Sequence, residues 1–232
     1  MIAIKRMQSS EIDRIGEIDR SEHVTTSYTI RDGKLEAEAV DWQVPRWFDD
    51  GPVHSVPGMV GFLSPLLANE SKLWGAFDGD ALVGVLVYRP HLTENMAQLA
   101  FLHVSHGYRR QGIATRLTAE CVRLAREDSA EQLYVSATPS GSAVGFYQSQ
   151  GFQLVDKPHP ELFALEPEAT LNSLAPGGEG GYSPPSGEGL GEGESARLAL
   201  FPLTPTPPKV LTTCLPLGRG SYHKEKTESG SR

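Results

Sequence analysis

The sequence predicts an α/β fold over residues 1–168, with strands alternating with helices, followed by a low-complexity tail over residues 169–232. Three observations predict it. Short apolar or alternating runs are interleaved with runs whose apolar residues recur at helical spacing. Two pairs of strand-like runs meet at tight turns, Asp32-Gly33 and Asp78-Gly79-Asp80, the usual signal for a hairpin. The last 64 residues hold 11 Gly and 8 Pro, against 13 Gly and 9 Pro in the first 168, so the composition changes sharply near Glu168.

Each element follows in order. "IAIKRM" alternates and reads as a strand. "SSEIDRIGEIDRSE" begins with serine caps and sets Ile12, Ile15 and Ile18 on one stripe, predicting a helix. "SYTIRDGKLEAEAV" reads as a hairpin about Asp32-Gly33. "VPGMVGFLSPLLANES" predicts a helix interrupted at Ser64-Pro65, because proline removes a donor and crowds the preceding turn. "KLWGAF" and "ALVGVLVYR" form a second hairpin. "MAQLAFLHV" is apolar at nearly every position and predicts a strand buried on both faces. A helix over about Gly112 to Asp128 comes next, then a strand at "EQLYVSAT" and a short helix at "SAVGFYQSQ" closed by Gly151. "FQLV" and "LFALEP" are expected as the final strands.

In the tail, "GGEGGYSPPSGEGLGEGE" and "PLTPTPPK" disfavour helices and strands through glycine entropy and the missing proline donor. One apolar patch, "ARLALFPL", is short and ends near a proline. The tail reads as a disordered extension, with a proline-rich docking segment as the alternative.

Charge narrows the function classes. Residues 1–168 carry 15 Lys/Arg and 23 Asp/Glu, while the tail carries six of each, so the whole net charge of −8 sits on the first part. A nucleic-acid surface usually needs a broad basic field, which argues against nucleic acid as a partner. No run approaches the length of a membrane span. The N-terminus shows no secretion signal. Cys121 and Cys214 lack partners at metal or redox spacing, which fits reduced thiols in a cytoplasmic protein without a metal.

The stretch "HGYRRQGIATRL" lies between the buried strand and the long helix. A strand ending near Val104, a tight turn and a helix starting near Gly112 aim the helix's first unpaired N–H groups at one spot. These donors and the positive dipole end make an anion site. Gly112 removes a Cβ that would block a phosphate, Ala114 keeps the next turn low, and Arg109, Arg110 and Arg116 add charge. A plain loop with a glycine helix start and solvated arginines is the other reading. A P-loop is excluded because no Gly-Lys-Ser/Thr follows, and no GxGxxG fingerprint is present.

Arg109-x-x-Gly112-x-Ala114 in this setting resembles the acetyl-CoA pyrophosphate motif (Arg/Gln-x-x-Gly-x-Gly/Ala) of the GCN5-related N-acetyltransferases, the GNAT superfamily. Ala143 and "GFYQSQGF" are similar to that family's second signature, Ala-x-x-x-Tyr-x-x-x-Gly-Phe. Element order agrees over residues 1–168. The resemblance implies a GNAT-like acyl-CoA N-acyltransferase fold with a central mixed sheet flanked by helices. It also implies acetyl-CoA as co-substrate and a small-molecule amine as acceptor, in a monomer or homodimer.

The resemblance also implies site residues. Leu102, His103 and Val104 would align the pantetheine arm. Main-chain groups of Arg109, Arg110, Gln111, Gly112, Ile113, Ala114 and Thr115 would hold the pyrophosphate. Tyr147 would lie near the thioester sulfur and supply a proton to the departing thiolate. Ser140 stands where many members carry asparagine, and Ala100 where members with a glutamate base often carry it. With no carboxylate on that strand, His103, His91 and Glu94 are the nearby candidates for a base. The implied mechanism is direct amine attack, since Cys121 lies within a helix with no His/Asp arrangement to activate it.

The inserted segment between the first two helices, with Glu36, Glu38, Asp41, Asp49, Asp50, Trp42, Trp47 and Phe48, is expected to form an acidic, aromatic-lined wall for a cationic acceptor. A solvated hairpin is the plainer reading. A non-catalytic CoA-binding module and an acetyltransferase of protein N-termini remain the alternatives.

Overall fold

The computed structural model describes residues 1–48, 54–155 and 158–165, together with three short strands at 194–195, 199–202 and 212–213. It is a mixed α/β fold. β1 (Ala3–Met7) leads through a 3₁₀ helix (Ser9–Glu17) into a long hairpin, β2 (Glu22–Arg31) and β3 (Lys34–Val44). Then come α1 (Val56–Ala68), β4 (Lys72–Asp78), β5 (Ala81–Thr93), β6 (Met96–Val104), α2 (Ile113–Glu127), β7 (Gln132–Ser136), α3 (Gly141–Ser149) and α4 (Pro160–Leu165). The short C-terminal strands are β8 (Glu194–Ser195), β9 (Ala199–Pro202) and β10 (Thr212–Thr213).

The main sheet has the order β1-β4-β5-β6-β7-β10, with β9 also pairing β7, and a smaller sheet has the order β3-β2-β8. Neighbours in the run β1-β4-β5-β6 are antiparallel, while β6 and β7 run parallel. Both faces of β6 are covered, as its apolar run predicts, and β5 is covered on both faces as well. Leu86, Leu99, Ile113, Leu117 and Leu124 form the core under α2. Ile12, Ile15, Leu63, Val85 and Val87 form the core under the 3₁₀ helix and α1.

Several elements differ from expectation for physical reasons. The first helix is 3₁₀ rather than α. Ile12, Ile15 and Ile18, all at most 5% exposed, recur every three residues, and three residues per turn stacks them on one line. The serines do not cap it; Glu11 reaches back to the Gln8 N–H at 2.8 Å instead.

α1 runs straight through Ser64-Pro65. Met59, Leu63 and Leu67 are buried at four-residue spacing, and Pro65 lies exposed near the helix end, so packing outweighs one lost donor. The hairpin turn at Asp32-Gly33 is as predicted, with positive φ at both residues (51° and 70°).

"LFALEP" is not a strand: α4 covers 160–165, with Pro160 at its first position and Glu161 in its first turn. "FQLV" makes no named strand either, although Phe152 and Val155 are buried. The β7 edge is paired by β9 and β10. Apart from β8, β9 and β10, the sequence reading of the tail falls on residues outside those described. No helix among the described residues is long and apolar enough to cross a membrane.

Candidate active site

The site begins where β6 and β7 part. Their parallel pairing ends at Leu99↔Val135, although β6 continues to Val104 on its other edge, paired to β5. Val87 pairs with Phe101 and Tyr88 with Leu99, so Ala100 is the extra residue of a β-bulge at the point of divergence. From there to Val104 the β7-facing edge of β6 is not laddered to β7. A cavity of about 340 Å³ fills the gap, lined on its two banks by Leu102, His103, Val104 and by Ala137, Ala143, Tyr147.

One end of the cavity is the turn into α2. Gly112 is the N-cap with φ of +75°, a left-handed conformation that favours glycine. A Cβ built on it would meet nothing within 4 Å, so the space before it is open. The first intrahelical bond runs from Arg116 N–H to Gly112 O at 3.0 Å, which leaves the N–H groups of Ile113, Ala114 and Thr115 without helical acceptors. All three residues line the cavity. The helix starts close to the sheet because Gly84 lies beneath it; a Cβ there would sit 3.1 Å from Ile113 and 3.3 Å from Leu117.

The three arginines of this turn point to different places. Arg109 donates to Glu22 Oε2 at 3.0 Å, to Arg20 O at 3.2 Å and to Val104 O at 3.2 Å. Its guanidinium is therefore a brace within the protein. Arg116 is turned away from the cavity and donates twice to Ile2 O at 3.1 Å, correcting the expectation that it adds charge there. Arg110, at φ +59°, is exposed and lines the cavity without a hydrogen bond or ion pair among the described residues. Gln111 folds back onto Gly107 O at 3.2 Å.

The opposite bank carries α3. Ser140, 3% exposed, is its N-cap and accepts from Ala143 N–H at 3.3 Å; its side chain is thus occupied in capping. Tyr147 is buried in edge-to-face contact with Phe146 and Phe152, with centroids 5.2 and 5.4 Å away. Gly151, at φ +87°, turns the chain so that Phe152 N–H reaches Tyr147 O at 3.1 Å. The predicted Tyr147 thus lies in the same cavity as the predicted turn.

His103 packs on Phe101 at 4.7 Å and faces the cavity. Burial among protein groups, reinforced by Arg20, Arg109 and His54, pushes its pKa down to about 3, so the imidazole is neutral near pH 7. His91 and Glu94, the other base candidates, are exposed at the β5–β6 turn. That turn precedes Met96, at the opposite end of β6 from the cavity, so sequence proximity misled there. Cys121 is fully buried, and burial raises its thiol pKa well above the usual range.

The acidic, aromatic wall expected from the inserted segment is not what the described residues build. Glu36, Glu38 and Asp41 are exposed along β3 and do not line this cavity; Asp41 binds His23 at 2.7 Å. Trp42 packs with Val24 and Val44, and the Trp47 indole donates to Ile18 O at 2.9 Å. Phe48 meets His54 edge-on at 6.3 Å, and Asp49 and Asp50 lie outside the described residues. Only the base of the hairpin reaches the cavity, through Glu22, Val24 and Val44, joined by the buried Arg20. Glu22 is the one carboxylate lining it among the described residues. Sequence reading missed Arg20 and Glu22, because nothing in their local pattern sets them apart. Among the described residues no group of three or more His, Cys, Asp or Glu is placed to hold a metal.

Residues 62–161 match the family described as an acetyltransferase (GNAT) domain. No curated protein sequence matches the chain. Among solved structures it is similar to nourseothricin acetyltransferase, at 19% identity over 66% of this chain and 84% of that one, with a TM-score of 0.52. A Bacillus anthracis protein in complex with acetyl coenzyme A is 18% identical over 67% of this chain and 86% of its own, with a TM-score of 0.53. A GNAT-family acetyltransferase from Staphylococcus aureus is 16% identical over 88% of this chain and 100% of its own, with a TM-score of 0.51. At these identities the structural likeness is one of fold, and the assignment rests on the family match to the segment that holds the splayed strands, the Gly112 turn and Tyr147. The segment 62–161 thus matches a GNAT acetyltransferase domain, and the chain shares the fold of the GNAT acetyltransferases.

Proposed function

We propose that this chain transfers the acetyl group of acetyl-CoA to a primary amine of a small acceptor by direct attack, and that residues 1–168 suffice for it. The observation that carries the reading is the convergence on one cavity of three parts. These are an edge of β6 unpaired beyond Leu99, a helix start with three unclaimed N–H groups at Ile113–Thr115, and Tyr147.

Each part has a role. The turn from Arg109 to Thr115 suits a pyrophosphate, because main-chain donors and the helix dipole act together there and Gly112 leaves the approach clear. Arg110 adds a cation at that end. The free edge of β6 at Leu102, His103 and Val104 suits an amide-bearing arm, which can continue the ladder that β7 leaves. Ser140 supports the arrangement indirectly by capping the helix that carries Tyr147. When bound, acetyl-CoA supplies the activated acyl group and a thiolate leaving group. Polarising the carbonyl would fall to main-chain N–H groups near the Ala100 bulge. Tyr147 supplies a proton to the thiolate from a dry, aromatic setting.

No residue lining the cavity is well suited to deprotonate the amine: His103 is a very weak base in this setting, β6 offers no carboxylate, and the Glu22 carboxylate is held by Arg109 and Ser142. The attacking species is then the acceptor's own neutral form. Cys121 is too buried to serve as an acyl carrier. The acceptor end is bounded by Val24 and Val44, and the Glu22 carboxylate there is already paired with Arg109. A second positive charge on the acceptor therefore gains little, which favours a compact monoamine over a polycation.

The test is thiol release from acetyl-CoA with a panel of amines, amino acids, aminoglycosides and N-terminal peptides. Turnover with a small monoamine supports the reading. Tight acetyl-CoA binding with no turnover on any acceptor would favour a non-catalytic binding module instead.

A further inference from the structure

Glu22 opens β2 and enters the cavity from a hairpin that belongs to neither bank of the cleft. Its Oε2 accepts from Arg109 Nη1 at 3.0 Å, and its Oε1 accepts from the Ser142 hydroxyl at 2.5 Å. Arg109 follows β6, whereas Ser142 lies in the first turn of α3, after β7. One carboxylate thus joins the two banks beyond Leu99↔Val135, where the strands no longer join each other. From Ser142 the network continues to Ser140, the helix cap, at 3.1 Å. Tyr147 is carried on the same short helix.

We propose that Glu22 is a positioning residue: it spans the cleft and fixes the distance between the β6 bank, where the acyl group lies, and the helix that carries Tyr147. The inference rests on the reading of Tyr147 as proton donor. Charge-assisted hydrogen bonds are the stronger kind, and this one acts at the open end of a parallel pair with no ladder to hold its width. Removing the charge leaves Arg109 with two carbonyl acceptors and loosens the first turn of α3 at Ser142, whose hydroxyl loses its charged partner. Proton transfer is sensitive to such displacement.

The hairpin does not depend on Glu22 alone for its place. Asp19 O accepts from His106 N–H at 2.7 Å, and Asp19 N–H donates to Ser105 Oγ at 2.9 Å. Tyr28 N–H donates to Pro139 O at 2.8 Å, and a Cβ on Gly141 would lie 3.2 Å from the Thr26 side chain, so the strand and helix start are in close contact. The near-isosteric Glu22→Gln is therefore expected to fold. Ser142→Ala, at an exposed position, removes the α3 limb of the clasp together with the contact to Ser140 and leaves the Glu22–Arg109 pair in place.

The experiment is a double-mutant cycle on the full chain, with kcat and the KM for acetyl-CoA measured for Glu22→Gln, Ser142→Ala, Tyr147→Phe and Glu22→Gln/Tyr147→Phe. Glu22→Gln is expected to lower kcat about tenfold, with KM changed less than about twofold. Ser142→Ala should move kcat in the same direction by less, and it carries the test should Glu22→Gln not fold. In the Tyr147→Phe background, Glu22→Gln should cost nothing further. Unchanged kcat in both single clasp variants, or losses that multiply fully with that of Tyr147→Phe, would overturn the positioning role and leave Tyr147's role standing. A Tyr147→Phe variant with wild-type kcat would overturn both.

Discussion

On the side of the cavity proposed to take acetyl-CoA the chain presents main chain: the unpaired edge of β6 and the first N–H groups of α2, arranged by two residues at positive φ, Arg110 and Gly112. On the side proposed for the acceptor it presents side chains, Arg20, Glu22, Val24 and Val44, delivered by a hairpin outside the main sheet and the residues that lead into it. The first wall is a local consequence of a strand, a turn and a helix in succession. The second exists only because distant segments meet. This difference teaches where substitutions should act, since a main-chain wall is broken by added bulk and a side-chain wall by lost groups.

The largest effect should come from adding bulk and charge at Gly112. Gly112→Glu places a carboxylate in the open space before the helix N-terminus, and at φ +75° any Cβ is also strained. Acetyl-CoA affinity should fall by at least about 100-fold while the fold persists, because the Cβ meets no protein atom. Calorimetry decides it, and an unchanged Kd would show that the anion lies elsewhere.

Next in size is Tyr147→Phe. General acid catalysis is worth about 10²–10⁴-fold, and a thiolate is a good leaving group, so a loss in kcat near the low end is expected with little change in acetyl-CoA affinity. A rise in KM without a loss in kcat would make Tyr147 a binding residue only.

A smaller effect belongs to His103. Its pKa is about 3 in the folded protein against 6.5 for an ordinary histidine, so between those values the unfolded chain binds more protons. Stability is therefore expected to fall as pH drops through that window. The contribution is about 1 kcal/mol between pH 7 and pH 5, allowing for solvent in the cavity. His103→Gln should flatten that part of the stability curve in urea titrations, and an unaltered slope would contradict the neutral imidazole.

The smallest effect is expected from removing the tail. A chain ending at Ala169 loses the short strands that pair β7 and β2, but these pairings involve few residues. Its melting temperature should stay within about 3 °C of the full chain, with the same acetyl-CoA affinity. A larger drop would make "ARLALFPL" part of the folded unit.

The same contrast explains what the sequence made legible. The two hairpins, the doubly buried β6 and the long α2 follow from periodicity and turn chemistry, and the Gly112 turn from its place between them. Pro65 misled the sequence reading, and Pro160 was not used in it. One sits harmlessly on the exposed side of a helix held by packing, and the other starts a helix where a strand was expected. The directions of Arg109 and Arg116 depend on partners outside their own turn, Glu22 and Ile2. Glu22 itself had no local signal, because its partners lie 87 and 120 residues away in the chain.

The central claim is that the acceptor's neutral amine attacks without help from a base on the enzyme. The pH dependence of kcat/KM for two acceptors of different basicity tests it most directly, in the wild type and in His103→Ala. The expected result is an ascending limb that shifts with the acceptor's own pKa and survives in the variant. A limb that stays fixed between the two acceptors, or one that vanishes in His103→Ala, would contradict it.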